Sequence, residues 1–216
     1  MKEKNIRLLK GKPLLAYTVE QAFKCSFLND VVVSTDNTLI KNAAQTAGIN
    51  YVIDRPPELA TDEASKWEVF IHAVETYENE KKVNVDYLVD MDVTVPLKTS
   101  CDVTGAIELA LQNPEADVII TAYEPERNPY FNMMEAGRDG YAYIVKQSSQ
   151  PIVRRQDAPR VYGLTPAVYV IRKSALYSYS HWSQAKCKIY VIPRERAVDV
   201  DTEFDFRMVE FLMENK

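Results

Sequence analysis

Apolar positions along the chain switch between helical spacing and short continuous runs, and the alternation predicts its elements. Leu14, Leu15, Tyr17, Thr18 and Ala22 recur at helical spacing and predict a helix from Leu14 to Phe23. Asp30 then leads into Val31-Val32-Val33-Ser34, which reads as a short buried strand. A helix from Asn37 to Ala47, stopped by Gly48, precedes a strand from Asn50 to Asp54. The next helix, Ser65 to Tyr77, carries Val69, Phe70, Ala73 and Val74 on one side. A buried strand from Asp86 to Met91, a helix from Asp102 to Leu111 and a strand from Asp117 to Thr121 continue the series. Strands that alternate with helices in this way predict a doubly wound α/β domain with a mostly parallel sheet. From about 123 to 163 the pattern breaks into polar, aromatic and glycine-containing segments, an inserted subdomain of hairpins and loops. Strands at Ala167–Arg172 and Lys188–Ile192 and an amphipathic helix from Glu203 to Met213 close the chain.

Composition bounds this picture. With 216 residues, 46% of them hydrophobic, the chain holds one sizeable core, so 1–216 reads as a single domain with that insertion. A net charge of −5 and the lack of a basic stripe with interleaved aromatics exclude a nucleic-acid backbone as the expected partner. Cys25, Cys101 and Cys187 are far apart, without metal or disulfide spacing, and read as small buried apolar residues. The start Met1-Lys2-Glu3-Lys4 is charged and no apolar run approaches about 18 residues, so neither a signal peptide nor a membrane span is predicted and the expected location is the cytoplasm.

The chemistry concentrates near the C-terminus, where Asp199 and Asp201 precede the last helix. In an extended segment residues i and i+2 share a side, so both carboxylates face one way while Ala197, Val198 and Val200 hold the segment to a core. Magnesium takes one or two carboxylates, waters and substrate phosphates, a set this pair completes. The alternative is a solvated strand end, with Thr202 and Asp205 as a helix cap. Ser34-Thr35-Asp36 and Asp92-Val93-Thr94 fall at strand ends, where they line a ligand pocket or serve turns and caps. Arg55 beside Pro56 has the planar fork for a phosphate or base edge. His72 and His181 read as structural, and no constellation supports covalent nucleophilic catalysis.

In order, the chain carries Lys4-Asn5-Ile6-Arg7-Leu8-Leu9-x-Gly11-Lys12-Pro13-Leu14, Val33-Ser34-Thr35-Asp36, the run Arg55 to Asp62, and Asp92-Val93-Thr94-Val95-Pro96-Leu97-Lys98. Arg127-Asn128-Pro129-Tyr130-Phe131-Asn132, Arg154-Arg155-Gln156-Asp157-Ala158-Pro159-Arg160-Val161-Tyr162 and the Asp199/Asp201 segment follow. From Lys4 to about Asn215 this resembles the acylneuraminate cytidylyltransferase family, the CMP-sialic acid synthetases. The resemblance implies a Rossmann-like nucleotidyltransferase fold and the reaction of CTP with a nonulosonic acid, giving the CMP-sugar and pyrophosphate. It also implies Mg²⁺ at Asp199 and Asp201, nucleotide contacts at Lys4, Asn5, Arg55, Asp92 and Thr94, and a homodimer whose inserted region helps form the neighbour's site. Lys146, Arg155, Gln156, Asn128 and Tyr162, in or at the end of the insertion, are the candidates for the sugar's carboxylate and hydroxyls. Asp92 stands where the sialate branch has Gln, and Val95 and Lys98 replace Ser and Arg of the family's Thr-Ser-Pro-Leu-Arg, which points toward legionaminic-type sugars. Thr165-Pro166-Ala167 lacks an Asn found in relatives, a change that bears on sugar selectivity.

The family normally opens with a buried strand and a Gly-rich basic loop just before the Lys-Asn pair, and neither is in this sequence. Two expectations follow: a start placed too late, or a truncated copy with weakened CTP binding. The rival readings are a non-catalytic nucleotide- or sugar-binding homologue and a related CMP-sugar synthetase such as that for 3-deoxy-manno-octulosonate.

Overall fold

The computed structural model describes residues 3–61 and 63–214. Met1 and Lys2 of the charged start, Asp62 of the Arg55 motif and Asn215 lie outside the described residues. The chain opens with a 3-10 turn, Lys4–Ile6, and a hairpin of β1 (Leu8–Leu9) and β2 (Lys12–Pro13). Lys10 and Gly11 between these strands both have positive φ, 49° and 78°, as a two-residue hairpin turn with matching twist requires. Helix α1 (Leu14–Phe23), β3 (Val33–Thr35), α2 (Thr38–Thr46), β4 (Val52–Asp54), α3 (Lys66–Lys81) and β5 (Tyr87–Asp90) follow. Then come α4 (Ser100–Gln112), β6 (Val118–Tyr123), the small hairpin β7 (Met134–Ala136) and β8 (Ala142–Ile144), and β9 (Gly163–Arg172). α5 (Lys173–Ser178), β10 (Cys187–Val191) and α6 (Glu203–Glu214) complete the chain.

The main sheet has the order β10-β6-β9-β5. β10 runs parallel to β6, while β9 is antiparallel to both β6 and β5, so β9 is the reversed strand of the four. Its side chains alternate between two covered faces. Val118, Ile120 and Ile171 pack with Trp67, Phe70 and Val74 of α3 and with Ala175 and Leu176 of α5. Ile119, Val168 and Val170 pack on the other face with Val103, Ala106, Ile107 and Ala110 of α4. This is the layered α/β arrangement that the helix-strand alternation predicts.

β3 and β4 form a separate parallel pair, Val33 opposite Val52. Among the described residues, the remaining edges of β3 and β5 have no strand partner. All four residues of β5 are accordingly half-buried, although Leu88 packs on the Trp67 cluster and Tyr87 and Val89 on the Val103 cluster.

Several expectations are corrected. The predicted strand at Val31 begins only at Val33, because the backbone N–H of Val31 turns to the Asp30 carboxylate at 2.8 Å; Val33 and Ser34 are half-buried, not buried. Cys25 is buried, but Cys101 and Cys187 are exposed. Helix α4 starts two residues before Asp102: Thr99 and Asp102 form a reciprocal capping box, each side chain taking the other's backbone N–H. The β1–β2 hairpin and α5 were not predicted, being too short for a periodic signal, whereas β7–β8 is a hairpin within the expected insertion.

Candidate active site

The carboxyl ends of β5 and of the β3–β4 pair are where an open α/β sheet binds ligands. Asp90 ends β5, and the chain turns at once through Asp92 and Thr94. The Asp92 carboxylate folds over its own turn, accepting from the Thr94 backbone N–H at 3.2 Å and its hydroxyl at 3.0 Å. Its other oxygen takes the Lys66 ammonium at 3.1 Å, and Lys66 also pairs with Asp90 at 2.7 Å. Burial pushes the Asp92 carboxyl up, but Lys66 and the Thr94 donors outweigh it and leave the group below its ordinary range. Asp90, half-buried, is raised by burial against the pull of Lys66.

The Asp199 segment is laid against this turn. The Val200 N–H donates to the Thr94 carbonyl at 2.8 Å, and Val200 itself is wholly buried among Leu9, Leu14, Leu97 and Phe206. The Thr165 hydroxyl donates to the Ala197 carbonyl at 3.2 Å. Upstream, Arg196 grips Asp102 of the α4 cap through two hydrogen bonds of 2.9 and 2.8 Å. Downstream, Thr202 and Asp205 form the predicted cap, with the Asp205 carboxylate taking the N–H groups of Asp201 and Thr202. The aspartates at 199 and 201 are thus held from both sides and by the buried valine between them.

Asp199 is half-buried, and its Oδ1 is buried without a hydrogen-bond partner. Burial raises its carboxyl above the ordinary range, and the charges of Asp201 and Asp92 add to this; the Thr94 hydroxyl and Lys4 pull the other way. Asp201 is exposed and accepts from the Lys4 ammonium at 2.8 Å. Lys4 also donates to the Val200 carbonyl at 3.3 Å. An unsatisfied buried carboxylate oxygen, repelled by its neighbours, is a place where a cation lowers the energy. No group of three or more His, Cys, Asp or Glu side chains poised for a metal occurs among the described residues. Two carboxylates are a donor set that would suit Mg²⁺, with water and phosphate oxygens as the remaining ligands.

The structure therefore brings Lys4, Asp92, Thr94, Asp199 and Asp201 together. Asn5 lies half-buried in the same turn as Lys4. Arg55 is half-buried at the end of β4, donating to the Ser34 carbonyl at 2.7 Å and hydroxyl at 3.3 Å; Asp36 and Asp90 favour its charge against burial. Thr35 serves local structure, its hydroxyl accepting from the Asn37 N–H, while Asn37 caps α2. Asn128, Lys146 and Arg155 make their contacts within the 124–162 segment. Asn128 spends its amide on the Tyr130 N–H at 2.9 Å and the Pro159 carbonyl at 3.0 Å, which braces the segment internally. Lys146 lies over the Tyr130 ring and Arg155 donates to the Pro125 carbonyl at 3.0 Å, both exposed; Gln156 is exposed and Tyr162 half-buried.

Sequence reasoning missed a cleft beside the cluster. Ser65, Lys66, Trp67, Phe70, Tyr169, His181 and Trp182 line a space of about 250 Å³. Lys66 connects this cleft to Asp90 and Asp92. His181 caps the 3-10 turn Trp182–Gln184 through the Ser183 N–H, the structural role its position predicts. The lining comes from α3, β9 and the loop before β10, so only their convergence forms it; the aromatic density of 177–182 was its one visible trace.

No helix among the described residues is long and apolar enough to cross a membrane. The solved CMP:2-keto-3-deoxy-manno-octonic acid synthetase complexed with CTP shares this fold, with a TM-score of 0.71 and 18% identity, over 100% of this chain and 93% of that one. The post-translational flagellin modification protein B of Campylobacter coli is 33% identical over 216 residues, 100% of this chain and 90% of the relative. The CMP-N,N'-diacetyllegionaminic acid synthase of Campylobacter jejuni is 31% identical over the same length, again 90% of the relative. The cytidylyltransferase family model matches residues 1–210, and the chain belongs to that family.

Proposed function

We propose that the chain transfers the cytidylyl group of CTP to the anomeric hydroxyl of a nonulosonic acid of the legionaminic or neuraminic type, releasing pyrophosphate. The observation that carries this reading is the buried, unpartnered Asp199 oxygen beside Asp201 and Lys4, at the carboxyl end of the sheet of a cytidylyltransferase. Asp199 and Asp201 hold Mg²⁺. When bound, the ion would neutralise charge on the phosphates and lower the pKa of the sugar hydroxyl that attacks the α-phosphorus. Lys4 exchanges its carboxylate partner for a phosphate oxygen as the nucleotide enters, and Arg55, Asn5, Asp92 and Thr94 border the nucleotide. The cleft walled by Trp67, Phe70, Tyr169 and Trp182 takes the apolar acyl end of the sugar, with Lys66 at its polar end. Thr165, where relatives have an amide side chain, turns its hydroxyl to the Ala197 carbonyl, so it supports the carboxylate segment and leaves sugar selectivity to the cleft.

The 124–162 segment exposes Met134, Tyr141 and Val153 to 61%, 71% and 81%. This face pairs with a second copy, and Lys146, Arg155, Gln156 and Tyr162 then reach the neighbour's sugar site. The reading places the protein in the cytoplasm, where CTP is available.

A second reading, a nucleotide- or sugar-binding protein without turnover, rests on the divided sheet: among the described residues the β3–β4 pair is not hydrogen-bonded to the four-stranded sheet. Pyrophosphate release with CTP and Mg²⁺, supplying legionaminic, N-acetylneuraminic and 3-deoxy-manno-octulosonic acids in parallel, separates the readings. Turnover with one of the first two, reduced about 10²–10³-fold in Asp199→Asn and in Asp201→Ala, supports transfer through this carboxylate pair. Turnover with the third alone moves the substrate to the octulosonate type. Binding of CTP with no release for any acid supports the second reading, and full activity in Asp201→Ala removes the metal assignment.

A further inference from the structure

Lys98 has no part in the scheme above, yet it is the largest fully buried side chain in the described residues, 2% exposed. A methionine would fill the same space without the desolvation of an ammonium group, so packing does not account for a lysine here. Its three N–H bonds each have an acceptor: the Thr18 hydroxyl at 2.8 Å, the Asp92 carbonyl at 2.5 Å and the Val95 carbonyl at 2.8 Å. Thr18 lies in the middle of α1, whereas the two carbonyls belong to the turn that follows β5. The ammonium therefore ties that turn to a rigid helix.

The opposite side of the same turn makes the site. There the Asp92 carboxylate meets Lys66 and Thr94, and the Thr94 carbonyl accepts the Val200 N–H between the two clasp aspartates. We propose that Lys98 is a positioning residue for cytidylyl transfer: from behind the turn it fixes the Asp92 and Thr94 backbone, and through Thr94 the placement of Asp199 and Asp201. This rests on the transfer reading for its kinetic consequence, though not for its structural one. Loss of hydration pushes Lys98 down to about 7, and Lys66 adds to that, while the charges of Asp92, Asp90 and Asp199 favour its protonated form.

Lys98→Met and Lys98→Arg test the assignment, arginine being the residue that the family motif has at this position. With Mg²⁺ and the accepted sugar, below the melting temperature of each variant, Lys98→Met is expected to lower kcat about 10–100-fold while KM for CTP and sugar stays within about 3-fold, the signature of displaced rather than lost groups. Lys98→Arg is expected to recover most of kcat. A measurement without turnover accompanies the kinetics: amide hydrogen exchange at Val200 is expected to accelerate in Lys98→Met, while Ile119 in the middle of β6 follows only the global stability change. If Lys98→Met does not fold, Thr18→Val, which removes one acceptor at nearly equal volume, is expected to give the same selective acceleration. Wild-type kcat in Lys98→Met, or exchange at Val200 no faster than the global change, overturns the proposal. A wild-type protein silent with every sugar overturns the transfer reading instead, and the exchange result still decides what Lys98 holds.

Discussion

Replacing Arg196 by Met tests how the carboxylate segment is anchored. The Arg196 guanidinium makes two hydrogen bonds to Asp102, whose side chain is 2% exposed, and the same carboxylate takes the Thr99 N–H and hydroxyl at 2.8 Å each. Without Arg196 the carboxylate keeps only its capping contacts. Removing one partner of a buried ion pair costs about 3–5 kcal/mol. Arg196 is itself 29% exposed, so water entering the vacated space partly solvates the carboxylate and the lower end, about 3 kcal/mol, is expected. For a domain of this size that corresponds to a fall of roughly 6–12 °C in melting temperature. Thermal and urea unfolding followed by circular dichroism read the change directly. Asp102→Asn keeps the helix cap but removes the buried charge, so the double variant is expected to lose less than the sum of the singles, by about 1–3 kcal/mol. A melting temperature within about 2 °C of wild type, or strict additivity in the double variant, refutes the buried-pair account.

Two further predictions concern the frame. Glu78 accepts two hydrogen bonds from Lys173, at 2.6 and 2.8 Å, and one from the Val85 N–H at 2.7 Å, and these hold its carboxyl below the ordinary 4.5. A depressed folded value means stability that is present above 4.5 and lost as pH falls through the folded value, so Glu78→Gln is expected to flatten the acid limb of stability in urea titrations at a series of pH values. Gly105 in α4 lies under the Tyr190 ring of β10, where an added Cβ would sit 2.1 Å from the hydroxyl oxygen and 2.4 Å from Cζ. Gly105→Ala is expected to cost about 1–3 kcal/mol in urea unfolding and to be largely rescued by Tyr190→Ala; an unrescued loss would place the strain elsewhere.

Elements with a long periodic signal were legible from residue order. Helix α1 runs from Leu14 to Phe23 as predicted, because the spacing of its apolar face is a local property. The Asp199/Asp201 pair was legible for the same reason: two carboxylates flanking a buried valine are a local pattern. The family motifs added the expectation of CTP and a sugar acid. Boundaries were less legible. β3 loses its first residues to the Asp30 side chain, and α4 gains two residues from the Thr99 cap; in both cases a side chain competes with the backbone ladder for an N–H group.

What neighbours in sequence cannot specify is which charges meet. Lys66 of α3 finds Asp90 at the end of β5 and Asp92 in the turn after it, Lys4 reaches Asp201 from the other end of the chain, and Arg196 closes on Asp102 across ninety-four positions. Lys98 was visible only as a departure from a family motif, and Cys101 and Cys187 were assigned to a core that does not include them. The reason is physical. Periodicity reports the face a residue presents, and that follows from local backbone geometry. The environment that sets a charge's partner, its dielectric and its pKa is assembled from segments far apart in the chain. Residue order therefore determined the layered α/β plan and the alternation that sets Asp199 and Asp201 on either side of a buried valine, whereas the aromatic cleft, the buried lysine behind the Asp92 turn and the ion pair that anchors Ala197 to Asp201 exist only once those segments have packed.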